Sequence, residues 1–362
     1  MATADGTWAY QDRFGDEFGR TYFRRFGDGV VSSLGLGTYL GEPTDAVDER
    51  YEEAITTALE SGCNVLDTAI NYRHQRSERV VGRALEGSEI DRDAVLVATK
   101  GGFLPFDGER PVDPGAFVRE EYVDPGIVAR EELARGSHCI APDFIEDQLD
   151  RSLENLGIGT VDLYYVHNPE TQLEARSREA VYDQLEETFA RLEERVAAGD
   201  LRYYGVATWD AFRVRSEHEN FLSLPEIASR ARSAAKAAGN TATHLRAIQL
   251  PFNVHMADGF TVAAHEGAEG AESALWFAQK AGLNAFASAS LGQGRLASGL
   301  PEAVAERLEG ESAVQKAINF ARSAPGVTSA LVGASDREHV REDLDACRFD
   351  PMGADAFDSV FE

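Results

Sequence analysis

The chain has 362 residues, 43% hydrophobic and 27% charged, with no long uncharged run, so it reads as a soluble globular protein rather than a membrane protein. A formal charge of -27 argues against a nucleic-acid surface. Carboxylates this dense repel in dilute buffer but are tolerated in molar salt, where the screening length falls to about 3 Å, so the composition predicts adaptation to a salt-rich medium.

In chain order, the N-terminal segment lacks both the basic and the apolar part of a secretory signal, which predicts a cytoplasmic protein. Residues 19–37 then carry two strand-like runs around Asp28-Gly29, the signal of a β-hairpin that plugs the bottom of a barrel. Eight short apolar runs follow, at VVSSLGLG, NVLDTA, AVLVATK, VDLYYVH, YYGVAT, RAIQLPF, NAFASAS and TSALVG. Between them lie amphipathic helical stretches such as DERYEEAITTALESG and YDQLEETFARLEERVAAG, several closing on glycine. Strand and helix alternating in this way predict an α/β fold, a parallel (β/α)8 TIM barrel with an N-terminal β-hairpin and long loops at its C-terminal mouth, one domain over residues 1–362. The Gly35-x-Gly37 pair is no dinucleotide fingerprint, because its spacing is wrong and no helix opens on it. Residues 101–140, with Pro105, Pro111, Pro114 and Pro125 among aromatic residues, form the longest departure from the alternation; a lid over the active site is expected there. Cys63, Cys139 and Cys347 are odd in number and scattered, and no H-E-x-x-H spacing occurs, so neither a disulfide framework nor a metal site is expected.

The chemistry concentrates at strand ends. Asp67 and Tyr72 fall at and beyond the second strand, Lys100 ends the third and His167 the fourth, and neighbouring barrel strands bring such ends within side-chain reach. Lysine occurs only at positions 100, 236, 280 and 316, every other basic residue being arginine, so a lysine kept at the end of an apolar strand marks a compact ammonium that is wanted there. Lys100 would favour the Tyr72 phenolate, Asp67 would hold Lys100, and His167 would orient a carbonyl oxygen beside Tyr72.

Through LGLGTYLG, NVLDTAINYRHQRSERVVGRAL, VLVATKGG, VDLYYVHNPE, YYGVATWD, IQLPFN, SLGQGRL and LVGASDREHVREDL, the sequence resembles the aldo-keto reductase superfamily over residues 30–345. The resemblance implies that Asp67, Tyr72, Lys100 and His167 form the catalytic tetrad of an NAD(P)H-dependent carbonyl (aldehyde or ketone) reductase or alcohol dehydrogenase, with a small-molecule carbonyl substrate. It also implies cofactor contacts from Gly37, Thr38 and Asp67, from Thr208, Gln249 and Ser288 near the nicotinamide, and from Leu291, Gly292 and Gly294 at the pyrophosphate. At the adenosine end it points to Gly333, Ser335, Arg337, His339, Glu342 and Asp343. NADPH is the expected cofactor, with NADH open, because His339 replaces a common phosphate-gripping cation. Ser288 and Ala207 depart from frequent aromatic and serine residues. For the substrate, the loops offer Phe103, Phe106, His138, Trp209, Asn253 and His255. Two rivals are a non-catalytic nicotinamide-binding regulatory or sensor subunit, and an aldolase using Lys100 as a Schiff-base nucleophile.

Overall fold

The computed structural model describes residues 1–268 and 270–361. A helix the sequence patterns did not suggest, α1 (Ala4–Phe14), leads into the hairpin strands β1 (Phe23–Phe26) and β2 (Gly29–Ser32), which pair antiparallel. The barrel begins with β3 (Leu34–Gly37), and α2 (Asp45–Glu60), β4 (Val65–Asp67), α3 (Arg76–Gly87) and β5 (Leu96–Gly101) follow. The run VVSSLGLG is therefore two strands, parted at Ser33. Residues 101–140 contain the short α4 (Pro114–Val118), after which come α5 (Pro142–Leu156), β6 (Val161–His167), α6 (Arg178–Ala198), β7 (Leu201–Ala207), α7 (Leu224–Ala237) and β8 (Leu245–Pro251). A short α8 (Asp258–Thr261) and the hairpin β9 (His265–Gly267) with β10 (Gly270–Glu272) precede α9 (Ala274–Lys280) and β11 (Asn284–Ser288). The chain closes through α10 (Glu302–Ala305), α11 (Ala313–Ser323), β12 (Val327–Gly333), α12 (Arg337–Asp345) and α13 (Ala354–Asp358). Eight parallel strands close the barrel in the order β3-β4-β5-β6-β7-β8-β11-β12, and β12 pairs back onto β3.

Alternation along the strands sorts the barrel interior into layers. Val65, Leu96, Ala98, Leu163, Tyr165, Ala247, Phe286 and Leu331 form one buried cluster, capped from below by Phe26 and Val31 of the hairpin. Phe26 meets Phe286 and Tyr203 edge-on, with ring centroids 5.9 and 5.6 Å apart, so the hairpin does plug the barrel. Gly205 leaves room for Tyr165: a Cβ there would lie 2.7 Å from the tyrosine ring. Two residues beyond each apolar position, the same inward parity delivers Asp67 above Val65, Lys100 above Ala98, His167 above Tyr165, Gln249 above Ala247 and Ser288 above Phe286. The pattern of apolar residues below and polar ones at the C-terminal end is what turns a packed barrel into a site. Among the described residues no helix is long and apolar enough to cross a membrane.

Candidate active site

A pocket of about 460 Å³ opens at the C-terminal ends of the strands. Its walls include Gly37, Thr38, Asp67, Tyr72, Phe103, His167, Thr208, Trp209, Gln249, Ser288, Leu291, Gly294 and Gly333, residues the sequence proposed.

Lys100 organises the floor. Its Nζ donates to Asp67 Oδ2 at 2.6 Å and to the Thr68 carbonyl at 2.8 Å, and lies 3.4 Å from the Tyr72 hydroxyl. Asp67 Oδ1 accepts from the Gln249 side-chain amide at 2.8 Å, so one carboxylate ties together the lysine and the glutamine. Burial pushes the Lys100 ammonium down, but Asp67 and Tyr72 together outweigh it and hold the group above its ordinary value, charged at neutral pH. The Tyr72 phenol is also raised, by burial first, with Lys100 pulling the other way and Asp67 adding to the rise. The lysine thus restrains the phenol's shift without reversing it, and the hydroxyl stays protonated. Burial, then Lys100 and His138, push His167 far below its usual range, so its imidazole is neutral. The rings of Tyr72 and His167 stand 6.1 Å apart, nearly perpendicular.

The backbone that carries Tyr72 is strained. Arg73, His74 and Gln75 follow with φ of 47°, 57° and 70°, three consecutive left-handed residues without a glycine, each costing on the order of 1 kcal/mol or more. Side chains hold the turn open. Arg73 donates to the carbonyls of Glu42 and Thr44 and pairs with Asp48, while Gln75 donates to the Phe106 carbonyl at 2.9 Å and accepts from Asn155 at 3.0 Å.

Several proposed residues are not brought to the pocket. Phe106 packs edge-on against Phe117, and His138 is fully buried beneath the strand ends. Asn253 spends its amide on the Ala289 carbonyl and its oxygen on the His255 amide, while His255 itself is exposed outside the walls. Gly292 lies within the loop after β11, and Ser335 is half-buried at the turn before α12. Arg337 and His339 are exposed on the first turn of α12. Glu342 accepts from the Ser312 hydroxyl at 2.8 Å. Asp343 shares the buried face of α12 with Val340 and Leu344, against Leu34, Leu36 and Cys63. Conversely, Tyr39, Leu40, Asn71, Asn168, Ala289 and Gln293 line the pocket and were not proposed; all but Leu40 directly follow a strand end or neighbour a proposed residue, a position that could have drawn attention to them.

The aldo/keto reductase family profile matches residues 33–222. An NADH-specific methylglyoxal reductase of Escherichia coli (strain K12) is 31% identical over 193 residues, covering 52% of each chain. An aldo-keto reductase of Schizosaccharomyces pombe, named with NADP(+), is 27% identical over 196 residues, 53% of this chain and 47% of its own. The chain spans about half the length of these curated relatives. An aldo-keto reductase from Klebsiella pneumoniae, solved in complex with NADPH, superposes with a TM-score of 0.61 at 20% identity over 94% of both chains. One from Bacillus halodurans, in its holo form, gives 0.63 at 21% identity over 94% of this chain and 96% of its own. With Asp67, Tyr72, Lys100 and His167 all inside the matched segment, and that segment covering more than half of the sequence, the chain belongs to the aldo/keto reductase family.

Proposed function

We propose that the chain is a nicotinamide-dependent oxidoreductase that reduces aldehydes or ketones and runs in reverse as an alcohol dehydrogenase, with Tyr72 as the general acid and base. The observation that carries this reading is the juxtaposition of a protonated phenol and a neutral imidazole in the wall of one pocket with a buried ammonium just behind the phenol. A carbonyl oxygen placed between Tyr72 and His167 would accept from both. As negative charge builds on that oxygen, the Tyr72 proton moves to it, and Lys100 at 3.4 Å stabilises the phenolate left behind. Asp67 keeps the ammonium in place.

The rest of the pocket suits a dinucleotide. Thr208 Oγ1 is buried without a hydrogen-bond partner among the described residues and stands near Gln249, two groups fit to hold a carboxamide. The loop after β11 turns through left-handed backbone at Ala289, Gly292, Gln293 and Gly294, and its Leu291 and Gly294 would face a pyrophosphate. When bound, the reduced nicotinamide supplies the hydride. NADPH is the proposed cofactor, in keeping with the relatives named for it and with exposed Arg337 and His339; NADH is the alternative, supported by the NADH-specific relative.

A carbonyl panel followed by loss of reduced-cofactor absorbance tests the reading. Tyr72→Phe is expected to lose about 10²- to 10⁴-fold in kcat while binding cofactor unchanged. Retention of reduction by that variant, or no turnover of any aldehyde or ketone by the wild type, would refute it.

A salt-rich working medium is part of the same proposal. Arg230 is ringed by Glu179, Asp183, Glu186 and Glu226, yet the sequence as a whole keeps 62 acidic residues against 35 basic ones. Raising salt from about 0.1 M to about 2 M should raise the melting temperature by screening this excess. Equal stability at both ends would exclude the idea.

A further inference from the structure

Residues 101–140 return to the barrel beside the strand they left. The Cys139 amide donates to the Gly102 carbonyl at 2.8 Å and the Leu104 amide to the Ser137 carbonyl at 2.9 Å, which sets Phe103 opposite His138 in an antiparallel bridge. His138 is thereby fully buried beside the ends of β5 and β6. Its Nε2 lies 2.8 Å from the carbonyl oxygen of His167, and its Nδ1 lies 2.9 Å from the Gln172 amide nitrogen. A carbonyl can only accept and an amide NH2 can only donate, so Nε2 carries the proton and donates, while Nδ1 is unprotonated and accepts a hydrogen bond. The second Gln172 hydrogen goes to the His138 carbonyl at 2.9 Å, so both donors of the amide hold this one residue. Burial pushes the imidazole down to about 4, which keeps it neutral and the pattern intact across the physiological range.

The approach is close on every side. At Gly102, with φ of 147°, a Cβ would lie 2.7 Å from the His167 oxygen and 3.2 Å from His138 Nε2, so only glycine lets the His138 ring and the His167 carbonyl approach this closely. Phe103 touches both histidines, its ring centroid 4.8 Å from His138 and 5.1 Å from His167. His167 needs this support, because its own Nδ1 is buried with no hydrogen-bond partner among the described residues. Nothing polar at that nitrogen orients the ring.

We propose that His138 is a positioning residue: its hydrogen bond to the His167 carbonyl, together with the shared contact on Phe103, fixes the end of β6 and hence the direction in which the His167 imidazole enters the pocket. The long insertion then acts on the reaction from beside the strands, as a brace on the residue that orients the carbonyl. The kinetic side of this inference rests on the reductase reading above; the structural side does not.

The test uses the full chain with its histidines, eight in all, labelled with 15N, the His167 resonances being assigned by their loss in His167→Asn. His138→Leu should shift those resonances. It should also lower kcat about tenfold to a hundredfold, the scale of a small misplacement of a catalytic group, with cofactor affinity unchanged. His138→Gln, which restores an N–H near the Nε2 position, should recover most of the loss. Unmoved His167 resonances, or unchanged kcat in a folded His138→Leu protein, would overturn the proposal. If the leucine variant does not fold, Gln172→Met, which removes the donor to Nδ1 and frees the ring, carries the same measurement. If the wild type reduces no carbonyl at all, the reductase reading falls, and the resonances alone decide whether His138 fixes His167.

Discussion

The two arcs of the barrel mouth are built differently. Along β4, β5 and β6, Lys100 and the backbone around the proposed catalytic residues are tied down by polar bonds from distant parts of the chain. Lys100 is held by Asp67 and the Thr68 carbonyl, the turn after Tyr72 by Arg73 and Gln75, the Gly102 amide by Gln148 at 2.6 Å, and Thr99 by Glu78 at 2.6 Å. Along β11 and β12 the loop is held mainly by short-range bonds, Gly292 to Ala289, Gly294 to Leu291 and Leu296 to Leu291, with Asn253 reaching the Ala289 carbonyl from outside it, and Gln293, Gly294, Arg337 and His339 are exposed. The first arc spends left-handed strain and buried charge to fix a few atoms before any ligand arrives. The second leaves backbone and long side chains where a large ligand would order them. Proton transfer requires placement to a fraction of an ångström, whereas binding a long ligand requires many contacts of modest strength.

The sharpest way to break this contrast is Lys100→Met. Removing the ammonium deprives Tyr72 of the cation 3.4 Å away and leaves the Asp67 carboxylate buried with Gln249 as its remaining side-chain partner. Activity should fall by at least about 10²-fold, and denaturant unfolding should show a loss of about 3–5 kcal/mol, the cost of orphaning one member of a buried pair. Adding Asp67→Asn removes the orphaned charge. The double variant is expected to regain stability without regaining activity. Were both to return, Lys100 would be a structural residue and the first arc would lose its special status.

Glu170, just after β6, shows the cost of such burial as a pH effect. One oxygen accepts from the amides of Trp209 and Asp210 at 2.6 and 3.1 Å, the other is buried without a partner among the described residues, and burial raises the carboxyl from 4.5 to about 7. Between those values the folded chain binds this proton more tightly than the unfolded chain, so the group's contribution to stability falls as pH rises through the window and is fully lost above it. Glu170→Gln keeps one acceptor and removes the charge. Its melting temperature relative to wild type should therefore climb from pH 5 to pH 8 by about 2–4 °C. A difference that stays flat with pH would mean that the wild-type carboxylate is solvated.

Much of this was legible in the sequence, and for a common reason. Asp67, Lys100 and His167 each end an alternating run, so inward parity could be counted from the apolar residues before them, and the hairpin announced itself at Asp28-Gly29. Parity does not extend into loops. Nothing local in GSHCIAP says that His138 turns inward to a backbone carbonyl, or that Phe106 packs on its own insertion, because both depend on how the segment returns to β5. The break at Ser33, inside a run that the sequence pattern joins into one strand, is set by the hairpin leaving the barrel wall. Asp343 is a different case: it lies three residues after Val340 and next to Leu344 on a helix, so its inward face could have been read from the 3.6-residue period.

The smallest expected effect concerns the open arc. Arg337 is exposed on the first turn of α12, with Asp336 capping the helix through the Glu338 amide at 2.7 Å. If this arc works by adding flexible contacts to a ligand, Arg337→Ala should raise the dissociation constant for NADPH only severalfold. The change should shrink as salt is added, leave NADH binding as it was, and keep the melting temperature within about a degree. The two arcs then differ in kind, since a substitution beside Tyr72 costs catalysis and stability together, while one here changes the choice of cofactor alone. An equal loss for both cofactors would instead place Arg337 among the groups that order the loop itself, and the open arc would prove to be as preorganised as its counterpart.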